Sequence, residues 1–142
     1  MKSFITSLIF VLCATFGKSQ TFTLGGDAGL FVGSGASFYF GGNTTLNGNL
    51  NNQGQVTSFS DINFVSNTDV GSIKFTGTAD QELVGEGLIF FDFTVDKDGQ
   101  LRLNPRKITI NGALSMARGV IKTDPDQQVI IKGNTTAGGT GY

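Results

Sequence analysis

The sequence predicts an all-β fold, a parallel β-solenoid of about five to six coils, on three observations. Apolar and polar residues alternate in short runs, glycine and asparagine recur between those runs, and separate segments of the chain resemble one another. After the N-terminal segment, no stretch carries an apolar stripe of helical period. Strand and turn spacing alone also fits an antiparallel β-sandwich, which remains the alternative fold.

The alternation of apolar and polar side chains has the period of a β-strand. Ile73 and Phe75 alternate with polar neighbours, and Ile108 and Ile110 do the same further along the chain. Successive side chains of a strand point to opposite sides, so each run predicts a strand with one buried and one exposed side.

Turn residues separate the predicted strands. Glycine and asparagine accept positive φ at low cost, so their clusters mark turns. The clusters are Gly41-Gly42-Asn43, Asn47-Gly48, Asn52-Gln53-Gly54, Asp98-Gly99, Asn111-Gly112 and Gly133-Asn134.

Internal similarity favours a solenoid over a sandwich. The segment 46–50, Leu-Asn-Gly-Asn-Leu, is echoed by the segment 110–114, Ile-Asn-Gly-Ala-Leu. The offset is about 64 residues, or roughly three coils if one coil takes about 20 residues. Degenerate repeats of strand plus turn predict stacked coils.

One part of the chain resembles a known repeat. The residues that carry the resemblance are Phe75-Thr76-Gly77, Gln81-Glu82-Leu83, Phe93-Thr94-Val95, Ile110-Asn111-Gly112-Ala113-Leu114 and Gly119-Val120-Ile121-Lys122-Thr123. They resemble the repeat region of large adhesin-like surface proteins of Bacteroidota, which are type IX secretion substrates. The resemblance covers residues 72–133 and, more loosely, 36–60. It implies a right-handed parallel β-helix, no catalytic residues, and a chain that is the N-terminal part of a longer protein.

The N-terminal segment predicts export. Lys2 precedes an apolar stretch from Phe4 to Phe16, and small residues at Gly17 and Ser19 precede Gln20. This arrangement predicts a signal peptide at residues 1–19 and a single domain at residues 20–142. The apolar stretch is too short to span a bilayer, so we expect an extracellular or cell-surface protein without membrane insertion.

Composition removes several kinds of chemistry. The chain has no histidine, and its single cysteine, Cys13, lies in the predicted signal peptide. These absences remove the commonest general base, the usual nucleophile pairs and thiolate metal sites. Ten basic and eleven acidic residues are spread without blocks, so no nucleic-acid partner is expected. We therefore expect a protein without catalysis and without cofactors.

A weak calcium candidate lies between two predicted strands. Asp96 and Asp98 alternate around Lys97 before Gly99, as carboxylates do in the middle of a calcium loop. An EF-hand would carry acids near both ends of this loop, and the sequence lacks them. A simple coil turn is the favoured interpretation.

Weak ligand-binding candidates are Phe90, Asn49 and Asn51. Phe90 and Phe91 point to opposite sides of one strand, so one ring could form an exposed sugar-stacking platform. Four asparagines, Asn47, Asn49, Asn51 and Asn52, favour an amide ladder between coils over exposed side chains that bind sugar hydroxyls.

The sequence thus predicts a secreted or cell-surface β-solenoid with a structural or adhesive role. Its expected partners are the remainder of a longer polypeptide, a surface glycan or another cell-surface protein. The alternative is a carbohydrate-binding or polysaccharide-processing module. Fold alone does not separate the two, because function depends on a site.

Overall fold

The computed structural model describes residues 21–26, 28–65 and 69–137, and this part of the chain contains fourteen strands and no helix. The predicted signal peptide, including Cys13, lies outside the described residues. Within those residues there is accordingly no apolar helix of membrane-spanning length.

The chain winds through three faces in each coil and makes about six coils. Face 1 contains β1 (Phe22–Leu24), β4 (Thr44–Leu46), β7 (Ile62–Phe64), β9 (Gln81–Val84) and the C-terminal parts of β10 (Leu88–Leu103) and β12 (Leu114–Lys122). Face 2 contains β2 (Gly29–Val32), β5 (Asn49–Asn52), the starts of β8 (Asp69–Gly77) and β10, β11 (Lys107–Ile110) and β13 (Gln128–Ile131). Face 3 contains β3 (Ser37–Phe40), β6 (Gln55–Ser58), the rest of β8, the middle of β10, the start of β12 and β14 (Thr135–Ala137).

The strands pair in parallel on all three faces. Phe22 pairs with Thr44 on face 1, and Ile108 pairs with Val129 on face 2, so one coil takes about 20 residues. This register confirms the predicted solenoid. The antiparallel β-sandwich alternative is wrong, because its neighbouring strands would run in opposite directions.

Three strands continue around corners of the coil. β8 turns from face 2 to face 3 at Gly71, and β12 turns from face 3 to face 1 at Gly119, both with positive φ. β10 passes through all three faces. The predicted turn at Asp98-Gly99 is therefore wrong in form: the chain changes face there without leaving the extended conformation.

Alternation places the apolar residues inside the coils. Ile73, Phe75, Ile108 and Ile110, predicted to face the core, are at most 1% exposed. Register stacks them in columns, so that Ile73 lies beside Phe93 of the next coil. The interior is thus built from apolar side chains about 20 residues apart in sequence.

The similarity between segments 46–50 and 110–114 reflects a repeating unit smaller than the whole coil that was predicted. Residues 46–50 run from face 1 to face 2, whereas residues 110–114 run from face 2 to face 3. The two segments are therefore not equivalent parts of the coil, and three whole coils do not separate them. What repeats is one corner plus one strand, with Asn-Gly at the corner in both segments.

Candidate functional site

Carboxylates at the corners bind the backbone of the next coil. Asp61 Oδ1 accepts a hydrogen bond from the Glu82 N–H at 2.8 Å, and Asp80 Oδ1 accepts one from the Gln100 N–H at 2.8 Å. Such bonds satisfy backbone donors where the chain bends and the strand ladder has no partner for them. These acids therefore hold neighbouring coils together.

Asn52 has a similar role at the corner between face 2 and face 3. Its Nδ2 donates to Val70 O at 3.0 Å and to Ser72 O at 2.9 Å, and its Oδ1 accepts from the Gly54 N–H at 3.1 Å. β2 and β5 form a separate two-stranded sheet. The Asn52 side chain thus ties this sheet to β8 where backbone pairing is interrupted.

The predicted asparagine ladder is wrong. Residues 47–52 belong to one coil, and a ladder requires side chains from successive coils. Asn49 and Asn51 are exposed on the outer side of β5, in register with Gly29 and Phe31 of β2. Both weak ligand candidates therefore lie on the surface of face 2.

Phe90 does not form a surface platform. Its side chain is 0% exposed and packs at 5.0 Å from the Phe93 ring, measured between centroids. A ligand outside the coil has no access to this ring. The exposed member of the pair is Phe91, at 61%.

The weak calcium candidates are engaged by cationic side chains. Asp96 lies 2.8 Å from Lys74 Nζ and 2.9 Å from Arg118 Nε, and Asp98 lies 2.9 Å from Arg118 Nη1. Hydrogen bonds from Lys74 and Arg118 hold the pKa of Asp96 below its usual value. In the described part of the chain, no group of three metal-ligating side chains lies close enough to hold an ion.

Lys97, between these two acids, points into the coil and is 0% exposed. Its Nζ donates to Ala79 O at 2.5 Å and to Gln100 O at 3.0 Å. Burial lowers the pKa of the Lys97 ammonium, and this effect outweighs the negative charges of Asp80 and Asp98, which raise it. This role was not predicted from the sequence, although alternation from Phe93 places residue 97 on the inner side of the strand.

Replacing Lys97 with methionine tests how this buried ammonium affects stability. Because the pKa of Lys97 is lowered in the folded state, the unfolded chain binds more protons between that pKa and 10.5. The wild-type chain should therefore gain stability relative to Lys97→Met as pH rises through that window. Urea unfolding at several alkaline pH values measures the difference. Lys107→Met, which removes an exposed lysine, is the control variant. A relative loss of stability by the wild type over this window would contradict the prediction.

A groove on the outer side of face 1 has a volume of about 300 Å³. Its lining residues are Asp61, Asp80, Gln81, Glu82, Gln100, Arg102 and Lys122. Several of these side chains already have partners: Glu82 accepts from Asn104 at 3.0 Å, and Arg102 lies 3.3 Å from Asp124. The groove carries both signs of charge, with three carboxylates, Asp61, Asp80 and Glu82, and two cationic side chains, Arg102 and Lys122.

The outer side of face 3 carries an exposed aromatic pair. Tyr39 of β3 and Phe59, which follows β6, are 62% and 45% exposed, and their ring centroids lie 6.3 Å apart. Register aligns Tyr39 with a column of residues on the outer side of the successive coils. The column consists of Thr57, Lys74, Thr94, Ser115 and Thr136, of which Thr57 is buried.

A second outward column lies beside the first. Thr76, Asp96 and Arg118 are in register on successive coils, and continuing the β6 register by one residue places Phe59 beside Thr76. Face 3 thus presents a polar surface with two aromatic rings near the N-terminal end of the stack. The pairing of Tyr39 with Phe59 was not predicted, because it depends on the length of one particular coil.

Comparison with models of protein families, with curated proteins and with solved structures finds no match to this chain. What the protein does is therefore inferred from its own residues.

Proposed function

We propose that the protein is a non-catalytic structural and adhesive module that acts outside the cell or at the cell surface. The observation that carries this proposal is the use of the corner carboxylates. Asp61, Asp80 and Asp92 each accept a backbone N–H from the following coil, so these three acids hold the fold together.

A solenoid built in this way suits a spacer or stalk. Backbone ladders join successive coils, and side chains such as Asn52 reinforce the corners. The interior columns are close to fully buried, for example at Ile73 and Leu83. Each coil contacts mainly its neighbours, so length and outer surface can vary without a change in the core.

A polysaccharide-processing role is the competing proposal, and the acids on face 3 argue against it. A glycosidase needs one carboxyl that is protonated at working pH and a second that acts as base or nucleophile. Asp96 is paired with two cations, and its pKa is lowered, which favours the charged form. Asp92 lies at the corner and accepts the Ala113 N–H at 2.8 Å.

The proposed location rests on the signal peptide predicted at residues 1–19. The proposed partners, the remainder of a longer polypeptide or a cell-surface glycan or protein, rest on the exposed surfaces of the coils. Face 3 offers the most distinctive of these surfaces.

Asp92→Ala tests whether this acid is structural. We expect the chain recovered after export, with its N terminus at Gln20, to release no reducing ends from xylan, pectin or laminarin. Asp92→Ala should lower the free energy of unfolding by about 1–3 kcal/mol, because the Ala113 N–H loses its acceptor. Glu86→Ala, at an exposed position, is the matched control and should have little effect.

Release of sugar products by the wild-type chain would contradict the proposal. If Asp92→Ala abolished that release while keeping wild-type unfolding behaviour, Asp92 would be assigned to catalysis. The proposal is supported if neither the wild type nor Asp92→Ala releases sugar products and Asp92→Ala is less stable than the wild type.

A further inference from the structure

We propose that the outer side of face 3 is a binding surface for a neutral, extended glycan, with Tyr39 and Phe59 stacking against sugar rings. This inference rests on the proposed adhesive function and names the class of ligand. It depends on three features of the surface. These are the aromatic pair Tyr39 and Phe59, the hydroxyl column formed by Thr94, Ser115 and Thr136, and the ion pairs that Asp96 and Asp98 make with Lys74 and Arg118.

The aromatic pair is exposed although burial would favour both rings. The two phenylalanines that flank Tyr39 on β3, Phe38 and Phe40, point inward, and Phe40 is 2% exposed. Tyr39 and Phe59 stand side by side with an interplanar angle of 36°. A tilted pair of exposed rings presents apolar faces to the C–H side of a sugar ring, while the Tyr39 hydroxyl remains free to reach its polar edge.

The hydroxyl column provides hydrogen-bonding groups along the stack. Thr94, Ser115 and Thr136 follow one another in register, at least partly exposed, on the last three coils of face 3. Neighbouring parallel strands lie about 4.8 Å apart, so five steps from Tyr39 to Thr136 span about 24 Å. An extended chain of several sugar units fits this length, and its hydroxyls match side chains that both donate and accept.

The charges on face 3 favour a neutral ligand over a polyanion. Lys74 and Arg118 are bound to Asp96, and Arg118 also binds Asp98. Cations that are paired in this way do not form the unbalanced basic stripe that nucleic acids or sulfated glycans require. Neutral polysaccharides are therefore the expected ligands.

The chain contains two tyrosines, Tyr39 and Tyr142, and no tryptophan, so Tyr39 can report binding directly. In the Tyr142→Phe background, titration with soluble laminarin, galactomannan and hydroxyethyl cellulose should change the tyrosine emission with at least one of them. Affinity electrophoresis in the same polysaccharides then compares variants without relying on Tyr39.

Tyr39→Ala and Phe59→Ala should each weaken binding about tenfold, because each removes one stacking ring. Phe31→Ala is the matched control: Phe31 is 63% exposed on face 2 and should be dispensable. Circular dichroism and urea unfolding of each variant separate a lost ligand contact from a lost fold. Raising salt should leave the affinity unchanged.

Absence of binding to all three neutral polysaccharides would overturn the inference. So would binding that Phe31→Ala abolishes and Tyr39→Ala preserves, or binding restricted to anionic polysaccharides and lost at high salt. A folded chain that neither binds nor hydrolyses polysaccharides contradicts this inference alone. A chain that binds and hydrolyses them contradicts the proposed non-catalytic function instead.

Discussion

Ile110→Asp is expected to prevent the chain from folding. Ile110 is 1% exposed on the inner side of β11, in register with Phe90 and Ile131 of the adjacent coils. Aspartate at this position would bury an unpaired charge within the apolar column, which costs more than a single domain's stability allows. Circular dichroism should show no β spectrum and no cooperative urea transition.

Lys107→Asp, three residues earlier on the same strand, is the matched control. Lys107 is exposed, so the change should alter the free energy of unfolding by less than about 1 kcal/mol. Equal and mild effects at the two positions would show that β11 does not have the inner and outer sides assigned to it.

Gly54→Ala is expected to destabilise the fold strongly, by about 3 kcal/mol. Gly54 lies at the corner between faces 2 and 3, directly against the equivalent corner of the preceding coil. An added Cβ would overlap the carbonyl oxygen of Ala36 and come within 2.5 Å of that of Gly33. Both obstacles are backbone atoms, which cannot move aside as a flexible side chain would. The shift in urea midpoint measures the cost.

Gly41→Ala provides the comparison for this prediction. Gly41 also lies at a corner of the coil, but an added Cβ there would meet no atom within 4 Å. The change should therefore alter stability by less than about 1 kcal/mol. If both alanine variants were equally stable, close stacking at the Gly54 corner would be disproved.

The fold was predictable because a solenoid repeats its local signals. Ile73 and Ile108 belong to different coils, yet each occupies the same kind of position in an alternating run. Glycine recurs at those corners where the neighbouring coil leaves little space for a side chain, as at Gly112 against the backbone of Phe91. The echo between segments was informative although it joins different corners.

The surface was less predictable, because the sequence does not state which residues become neighbours across coils. Tyr39 and Phe59 are brought together by a coil of a particular length, and a change of one residue would place another side chain beside Tyr39. The burial of Lys97 was not predicted, because a lysine inside a coil needs acceptors, and one of them comes from the neighbouring coil. Two backbone carbonyls, those of Ala79 and Gln100, receive its ammonium.

The unbroken passage of β10 around all three faces has a consequence for the folding pathway. β10 pairs with β8 and β9 on one side and with β11 and β12 on the other, so both halves of the stack need it as a template. Each of these pairings closes a loop of only about 20 residues, a low entropic cost for a β protein. Nucleation in the middle of the chain, with coils then adding outward in both directions, is the kinetic order that this geometry favours.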